Sequence, residues 1–544
     1  MPPRDPAVYD NNNDHHENDE ATKLTNDESA KTQAVPDMDT PETVQNKINT
    51  FHWELNVLSA IVIGALYQAT SPENRFYWHI VFALIGVDAA RYYYAKGSSP
   101  GVPYTLPFVT VVAMIAHPVR FWNEMGRIAM GSAQGVCSNT LVGNFMLFVT
   151  DPSKCKQIFT GEGVFQLYAH PNALWLFGPN NLIYLPTELH KKARAVLTPA
   201  LFSEGALQQY AVAQEKVVRK FLKRCENEPI EAMVTFRSMA AASSQEAFMG
   251  PYLTDELRDM LENNILVFTM GFLSFPIPYI GGLRKAIQAK NRIEEAIREI
   301  VPKARAYAAA GGEPRCLLEH WQAQIVQQAK ELNCDPQEVP YCSDDNIALS
   351  VLDFLFAAQD ATNSGLTYAL DVLESHPHVF DRMKEEVDQK CSKGKTIAAA
   401  LSDRDLAYTG KTANQLLHYK PPVPMVPHLT LKDTVVDGLK IAKGTVVIPS
   451  VIYSARTTGV ALKFDPETSD PDSHFIKTFT FGAGQHKCPG RKYAESLLSI
   501  FCAVLSESYT IERVAPQAPK ADDFIYFPTV FPKDSKFILR RRAT

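Results

Sequence analysis

The sequence predicts a mainly α-helical protein with a minor β region, preceded by an N-terminal membrane anchor. Three observations support this prediction. From about residue 110 onward the hydrophobic residues mostly follow the spacing of helices, and a strand-like stretch at 445–452 is short. Upstream of that body lie two apolar segments, at 55–69 and 76–95. The second segment nearly reaches the ~20 residues that a helix needs to cross a bilayer.

The composition indicates a large core and gives no reason to expect nucleic acid as a partner. The 544 residues are 46% hydrophobic and carry a formal net charge of −6. Nine cysteines are scattered along the chain without any C-x-x-C pair, which argues against a disulfide framework and against a zinc site. This use of cysteine fits a catalytic body that faces the reducing cytosol.

Two segments are predicted to be connections. Residues 1–49 are rich in Asn, Asp, Glu and Thr and nearly lack aromatics, so we expect a disordered polar and acidic tail without a cleavable signal peptide. Residues 98–110 contain three spaced prolines, which enforce a stiff, extended hinge. The catalytic domain is then expected over 111–544.

The segment 50–97 is predicted to be the membrane anchor, with one or two apolar helices. Aromatic side chains flank both apolar runs, as they do at membrane interfaces. Asp88 interrupts the second run, and a pair of buried core helices is the alternative interpretation. Arg91, near the end of that run, and Lys96, directly after it, place the downstream body in the cytosol.

A glycine-rich loop at 481–490 presents a single cysteine and leads into a helix predicted at 491–505. Its three glycines permit backbone conformations closed to other residues and a close approach to a large planar ligand. Cys488 comes just before the helix N-terminus, where N–H groups and the helix dipole favour a thiolate. A thiolate held in this way suits an axial haem ligand. By itself, a lone cysteine beside a turn would more simply be structural.

As a whole, these ten residues resemble the haem-binding loop of the cytochrome P-450 family, Phe-Gly-x-Gly-x-(Arg/His)-x-Cys-x-Gly. The resemblance spans roughly residues 100 to 540 and implies the cytochrome P-450 fold for the catalytic domain. It also implies a haem b cofactor, with the Cys488 thiolate as the axial ligand of the iron. Other loop residues that would contact this cofactor are Phe481, Gly482, His486 and Gly490.

A short strand predicted at 180–185 precedes a helix that carries His190 and Arg194 at positions i and i+4, hence on one face. By themselves they would more simply form a solvated basic face. The family usually has Trp-x-x-x-Arg here, and both side chains reach a haem propionate. Because His190 keeps an N–H donor, the resemblance implies that it binds the propionates together with Arg194 and His486.

The strongly apolar segment 265–283 contains Pro276, Pro278 and a Gly281-Gly282 pair, which argue against a straight helix. In the family's order it lies between two lid helices over the substrate entrance, a region that often dips into the membrane. A hydrophobic entrance implies a lipophilic substrate. An ordinary buried core segment is the alternative.

A long helix is predicted from Asp344 to Glu374. Small residues around Asp360 would let it pass close to a flat ligand, with the Asp360 carboxylate available to handle protons. A solvated acid on a core helix is the alternative. The segment resembles the family's oxygen-activating sequence, (Ala/Gly)-Gly-x-(Asp/Glu)-Thr-Thr, but with Ala358 for glycine and Ala361 for the first threonine. Thr362 or water would then have to assist Asp360.

The variant Phe-Ala-x-Gln-Asp-Ala-Thr at 356–362 resembles one branch of the family, the sterol C-22 desaturases of fungi, plants and algae. Residues 421–428 match the segment that lines the pocket above the haem in that branch. The branch resemblance implies that five side chains face the substrate: Phe356, Ala357, Ala358, Met425 and Val426.

One family feature is missing. The Glu-x-x-Arg pair of the family is replaced by Gln415 and His418, and Thr468 stands where the arginine that completes this triad is expected. Losing one partner would strand a buried charge, whereas replacing all three by neutral groups can be close to neutral for stability. The loss is therefore compatible with a folded, haem-loaded protein, and equally with decay.

The resemblance implies a haem-thiolate oxidoreductase of the endoplasmic reticulum membrane that desaturates a sterol between C-22 and C-23, with Asp360 and Thr362 as catalytic residues. Since the chain shows no flavin or dinucleotide motif, electrons from NADPH would arrive through a separate NADPH–cytochrome P-450 reductase. Two alternatives stay open. One is a hydroxylase or a reductase-independent isomerase of another lipid. The other is a non-catalytic protein that binds haem or sterol.

Overall fold

The mainly helical character expected from the sequence is present in the structure, a computed structural model. The predicted tail 1–49 and Thr468 lie outside the described residues. The residues that the structure describes are 50–141, 144–168, 172–274, 277–391, 394–458, 464–467, 479–514, 524–527 and 529–542.

Helices account for most of the described chain. In chain order they are α1 (Thr50–Ala69), α2 (Arg75–Lys96), α3 (Pro107–Ala116), α4 (Pro118–Gly131), α5 (Pro152–Thr160), α6 (Ala173–Phe177), α7 (Thr187–Phe202), α8 (Glu204–Arg224), α9 (Ala232–Met249), α10 (Asp255–Met270), α11 (Gly281–Ala309), α12 (Leu317–Leu332), α13 (Asp344–Glu374), α14 (Pro377–Cys391), α15 (Ile397–Ser402), α16 (Ala407–Tyr419), α17 (Val451–Thr457) and α18 (Arg491–Ser508).

The strands are short and form small sheets beside the helices. They are β1 (Val136–Leu141), β2 (Asn144–Val149), β3 (Phe165–Leu167), β4 (Pro229–Glu231), β5 (His428–Thr430), β6 (Thr434–Val436), β7 (Leu439–Ile441), β8 (Val446–Pro449), β9 (Tyr509–Arg513), β10 (Phe524–Phe527), β11 (Thr529–Pro532) and β12 (Lys536–Arg541). One sheet has the order β1-β2-β8-β5-β3, with β2 and β8 parallel and the other pairs antiparallel. The others are β4-β12-β9 and the pairs β6-β7 and β10-β11.

The long helix α13 runs through the core and has the bounds that the sequence predicts. The Ser343 hydroxyl caps its N-terminus by accepting from the Asn346 N–H, and Asp344 and Asp345 place negative charge in its first turn. Its buried side chains join the main hydrophobic core. It packs against α9, α11, α16 and α18 and so joins helices that lie far apart in the sequence.

Two local predictions need correction. The segment 180–185 is not a strand: the Asn181 side chain accepts from the Ile183 N–H and starts a 3-10 turn at Leu182–Tyr184. The strand predicted at 445–452 is limited to β8, because the Ser450 hydroxyl accepts from the Tyr453 N–H and begins α17. The helix after the cysteine loop extends three residues beyond its predicted end.

The predicted anchor forms a hairpin of α1 and α2. Large apolar side chains are exposed on both helices, for example Ile61, Leu66, Phe76 and Leu84. In the described part of the chain, no helix combines the length and the apolar character needed to span a bilayer. The membrane anchor at 50–97 therefore stays a prediction.

The hairpin is attached to the body by buried polar contacts. His52 of α1 is fully buried, and its Nδ1 lies 3.0 Å from Glu124 Oε2 of α4. Asn139 Nδ2 of β1 lies 3.4 Å from the other ring nitrogen of His52. Asp88, which interrupts the apolar run of α2, accepts a 2.7 Å hydrogen bond from the Tyr104 hydroxyl. These contacts fix the hairpin against α4 and β1.

The predicted hinge is shorter than 98–110 and is itself attached to the body. Its C-terminal end is helical, because α3 begins at Pro107. The Val102 N–H donates to the Ser138 carbonyl (3.1 Å), and the Ser138 N–H donates to the Pro100 carbonyl (2.8 Å). The Tyr92 hydroxyl donates to the Val102 carbonyl (2.6 Å). The extended chain at 100–102 thus runs along β1.

Candidate active site

The loop at 481–490 owes its shape to two glycines. Gly482 and Gly484 both have φ of +67°, which side-chain-bearing residues rarely adopt. A Cβ on Gly484 would lie 2.5 Å from the Phe159 carbonyl oxygen, so a side chain there would also clash with α5. The Cys488 N–H donates to the Phe481 carbonyl (2.9 Å), which closes the loop and fixes the backbone of the cysteine.

One expectation about this loop is wrong in part. Gly490 has φ of −89°, a value open to any residue, so no special backbone conformation requires glycine there. Burial raises the pKa of the Cys488 thiol, although the Gly490 backbone N–H and the Arg194 guanidinium act to lower it. The start of α18 therefore favours the thiolate, as expected, but burial outweighs this contribution, and a bound metal cation would add to it.

The structure brings His190, Arg194 and His486 together beside the cysteine loop. The His190 and His486 ring centroids are 4.6 Å apart, and Arg194 Nη2 lies 3.4 Å from the Lys487 carbonyl oxygen. Gln485 Nε2 donates to His190 Nδ1 at 3.0 Å, which places the ring proton on Nε2. Burial lowers the pKa of His190 to about 4, so the ring is neutral near pH 7.

Two members of this cluster were not predicted from the sequence. Gln485 is the loop residue that orients His190. His428 of β5 is buried, with Nδ1 donating to the Val426 carbonyl (2.8 Å) and a pKa lowered to about 4 by burial, with a smaller contribution from His486. His428 belongs to the 421–428 motif, but because it lies 58 residues before His486 the sequence did not show that the two interact.

We expect His190 and Arg194 to act together in retaining the cofactor. If both bind the same anionic groups, the His190→Ala and Arg194→Ala variants should each lose haem faster than the wild type. The double variant should lose less than the sum of the two free-energy changes, with a coupling of about 0.5–3 kcal/mol. Haem transfer to an excess of a haem-scavenging protein measures these rates.

Lys192→Ala, an exposed position on the same helix, is the control and should leave the transfer rate unchanged. Small and strictly additive effects of the two substitutions would mean that His190 and Arg194 have no shared role in binding the haem.

The middle of α13 presents a stripe of small accessible side chains. Ala357 is exposed, and Ala358, Ala361 and Thr362 are half-buried, whereas most neighbouring positions of the helix are buried. Spacing by three and four residues places these positions on adjoining parts of the helix surface. The helix is therefore accessible where the sequence predicts a flat ligand.

Phe356, predicted to face the substrate, belongs to an aromatic cluster. Its ring stacks on Phe272 at 4.8 Å and lies 5.3 Å from Phe177 and 5.6 Å from Phe268. Two of these partners come from the apolar segment 265–283, in which α10 continues to Met270 and α11 begins at Gly281. These four side chains, Phe177, Phe268, Phe272 and Phe356, thus form an aromatic wall next to the centre of α13.

Asp360, the predicted proton-handling residue, is buried and is paired with a residue that the sequence did not reveal. Arg237 of α9 donates from Nη2 to Asp360 Oδ1, and the Thr529 hydroxyl donates to the Asp360 carbonyl (3.2 Å). Burial raises the pKa of the Asp360 carboxyl, and Arg237 opposes that rise. The pair keeps a titratable carboxyl inside the protein beside the small residues of α13.

We expect the Asp360–Arg237 pair to control proton supply. Asp360→Asn should lower turnover by about 10²-fold with substrate binding nearly unchanged, since a positioned acid or base contributes 10²–10⁴. Arg237→Ala removes the group that lowers the Asp360 pKa. The acidic limb of the pH–turnover profile, where Asp360 loses its charge, should then move to higher pH.

The matched control is Arg258→Ala, because Arg258 forms an ion pair with Glu246 away from α13. A pH profile that is the same for Arg237→Ala and Arg258→Ala would contradict the role of the pair.

Met425 and Val426, also predicted to face the substrate, lie where the 421–428 segment joins the large sheet. Met425 forms an isolated antiparallel bridge with Ser450, and the Val426 N–H donates to the Pro449 carbonyl (3.2 Å). Both side chains are half-buried. Their backbones are thus fixed by β8, and their role toward a substrate stays a prediction.

Gln415 and His418, the neutral replacements of the family's charged pair, are both buried on α16. His418 Nδ1 lies 3.0 Å from the Thr480 hydroxyl, which precedes the cysteine loop. Gln415 Oε1 has no hydrogen-bond partner among the described residues. Asn414 Nδ2, just before Gln415 in sequence, donates to Glu495 of α18 (3.3 Å), so α16 is attached to the helix after the loop.

The donors and the shape of this region fit the haem that the family resemblance implies. Cys488 would be the ligand of the iron. Two neutral histidines and one guanidinium lie together for the propionates, and small residues of α13 leave room for a planar group. The residues that would hold the haem are Cys488, His190, Arg194, His486, Phe481, Gly482 and Gly490.

Comparison with known proteins gives the same family. A family model described as Cytochrome P450 matches residues 100–528. The chain is 32% identical over 458 residues to "Cytochrome P450 710A4" of Arabidopsis thaliana, which covers 81% of this chain and 90% of the relative. It is 27% identical over 512 residues to "C-22 sterol desaturase erg5" of Aspergillus fumigatus, which covers 88% of this chain and 96% of the relative.

A solved structure, "Retinoic acid bound cyanobacterial CYP120A1", has the same fold. It superposes with a TM-score of 0.67 at 20% identity, over 81% of this chain and 99% of that chain. This likeness shows the fold alone, whereas the family match covers most of the sequence. The chain therefore belongs to the cytochrome P450 family of haem-thiolate oxidoreductases.

Proposed function

We propose that the protein is a membrane-bound sterol C-22 desaturase, which forms a double bond between C-22 and C-23 of a sterol side chain. The observation that carries this proposal is the similarity to relatives named C-22 sterol desaturase, at 26–27% identity over 84–88% of the chain. The aromatic wall around Phe356 supports it, because a sterol is almost entirely apolar and needs a pocket of that character.

The net reaction removes one hydrogen atom from each of C-22 and C-23 and reduces O2 to two water molecules. NADPH and one proton supply the other two electrons and two protons that this reduction needs. Haem b, when bound, supplies the oxidising chemistry. The aromatic wall orients the sterol and excludes water. The Asp360 carboxyl, held at Oδ1 by Arg237, takes up and passes on the protons, and Thr362 lies two residues further along α13.

The electrons come through a separate NADPH–cytochrome P450 reductase, as in the family's microsomal members. We place the protein in the endoplasmic reticulum membrane with the catalytic domain in the cytosol. Two apolar surfaces support a membrane location. The α1–α2 hairpin exposes large apolar side chains, and so does the segment next to the aromatic wall, with Leu266, Met270, Tyr279 and Ile280.

The test is reconstitution of the full chain in phospholipid vesicles with the reductase, NADPH and a sterol that has a saturated side chain. A product with two hydrogens fewer, with the new double bond at C-22, would support the proposal. Products are separated and identified by mass spectrometry. Cys488→Ala, assayed in parallel, should give no product.

Other products would point to other functions. A product with one additional oxygen atom would identify a hydroxylase instead. Turnover without NADPH or reductase would identify an isomerase. No turnover, together with tight sterol binding, would identify a binding protein.

A further inference from the structure

Asp353 of α13 is a polar residue on the wall that the substrate would contact, and no role in the reaction involves it so far. It lies three residues before Phe356 and four before Ala357, so all three share one face of the helix. Protein surrounds the Asp353 carboxyl, yet the residue is partly accessible. Asp353 therefore lies beside Phe356, a member of the aromatic cluster.

A second polar residue holds this carboxyl in place. Asn181, which is buried and starts the 3-10 turn before α7, donates from Nδ2 to Asp353 Oδ2. Its own Oδ1 accepts from the Ile183 N–H at 3.0 Å, so the Asn181 amide cannot rotate freely. The orientation of Asp353 is thus set by a different segment of the chain.

The other oxygen of Asp353, Oδ1, is buried. It has no hydrogen-bond partner in the described part of the chain. Lys290 of α11 acts to lower the pKa of this carboxyl, but its ammonium lies 2.6 Å from Glu294. A buried polar atom without a partner is costly, which favours either a neutral acid or a ligand that completes its hydrogen bonding.

Burial raises the pKa of Asp353 well above its usual range, and the hydrogen bond from Asn181 offsets only part of this rise. Burial thus favours the protonated form of this carboxyl. Because Oδ2 accepts from Asn181, the proton of that form lies on Oδ1 and can be donated from there. The group that would satisfy it is a hydroxyl, which can also donate in return.

The distance along the helix matches a sterol. From Ala361, in the oxygen-activating segment, to Asp353 is eight residues, or about 12 Å at the helical rise. That length is comparable to the separation between the ring hydroxyl of a sterol and its side chain. A sterol lying along α13 with its side chain at Ala361 would bring this hydroxyl close to Asp353.

We propose that the Asp353–Asn181 pair binds the 3β-hydroxyl of the sterol and thereby positions the side chain for reaction. The inference rests on the proposed sterol substrate and adds the group that recognises its one polar end. It makes Asp353 a residue of substrate specificity, and Asn181 the residue that positions it.

The test is a spectral titration of the haem-loaded full chain in phospholipid vesicles, with a 3β-hydroxysterol and with the same sterol lacking that hydroxyl. Wild type should bind the hydroxysterol about tenfold more tightly, the usual worth of one hydrogen bond to a buried partner. Asp353→Ala should remove this preference by weakening the hydroxysterol alone. Asp353→Asn keeps a donor of similar shape and should retain part of it.

Asp345→Ala is the control, because Asp345 is an acid of the same helix that pairs with Arg298 at the surface. Equal weakening of both sterols by Asp353→Ala, or an unchanged preference, would overturn the proposal. Product analysis tests the proposed function separately. A protein that keeps the hydroxyl preference but forms no C-22 double bond would contradict desaturation and leave the Asp353 assignment standing.

Discussion

Cys488→Ala is expected to remove the thiolate type of haem spectrum and to reduce turnover to background. The physical reason is that the closed loop presents the Cys488 sulfur. Cys488 follows two glycines with left-handed backbone conformations and comes just before the start of α18. No other side chain of the loop can act as a thiolate. The reduced, carbon monoxide difference spectrum of the purified protein measures the effect directly.

Two further variants make this test specific. Cys488→His should retain a haem ligand but not monooxygenase activity, because an imidazole does not donate electron density as a thiolate does. Cys391→Ala, at the half-buried C-terminal end of α14, should behave as wild type. A thiolate spectrum that survives in Cys488→Ala would disprove the ligand assignment.

Gln415→Glu is expected to destabilise the protein by roughly 3–5 kcal/mol, because it places a carboxylate without a cationic partner in a buried site. Gln415 is only 5% exposed, and its Oε1 is unpartnered among the described residues. Thermal unfolding of the haem-loaded protein and its haem content measure the loss. A loose, solvated site would instead tolerate the new charge.

A combined variant separates charge from shape. Adding His418→Arg and Thr468→Arg to Gln415→Glu restores the charged triad of the family and should recover much of the lost stability. Gln288→Glu, on the exposed face of α11, is the control and should change stability by less than about 0.5 kcal/mol. If Gln415→Glu proves as harmless as this control, the site around Gln415 and His418 is loosely packed and solvated. The proposal that the protein is a working enzyme then loses support.

Local sequence rules predicted the elements whose causes lie close together in the chain. The bounds of α13 follow from its cap, its acidic first turn and its long apolar pattern, all within one segment. The cysteine loop could be predicted because its glycines and its cysteine are neighbours. The prediction of a strand at 180–185 is wrong, and its cause is also local. The apolar residues suggested a strand, but the Asn181 side chain accepts a hydrogen bond from the Ile183 N–H and starts a turn.

The partners of the site residues could not be predicted, because the fold brings them from far away. Arg237 is 123 residues before Asp360, and Asn181 is 172 residues before Asp353. The sequence around a single arginine or asparagine on a helix or turn does not indicate which buried carboxyl will be its partner. Only the packing of α9 and of the 3-10 turn against α13 shows which acids are paired.

The attachment of the N-terminal hairpin has a consequence for preparing the protein without it. A chain shortened to begin after residue 97 would lose His52, and with it the ring that covers Glu124 and Asn139. A carboxylate and an amide at the surface of α4 and β1 would then be solvated, and Leu55 would no longer cover the apolar cluster around Phe121. The first two helices are therefore part of the folding unit, and shortened versions should begin before His52.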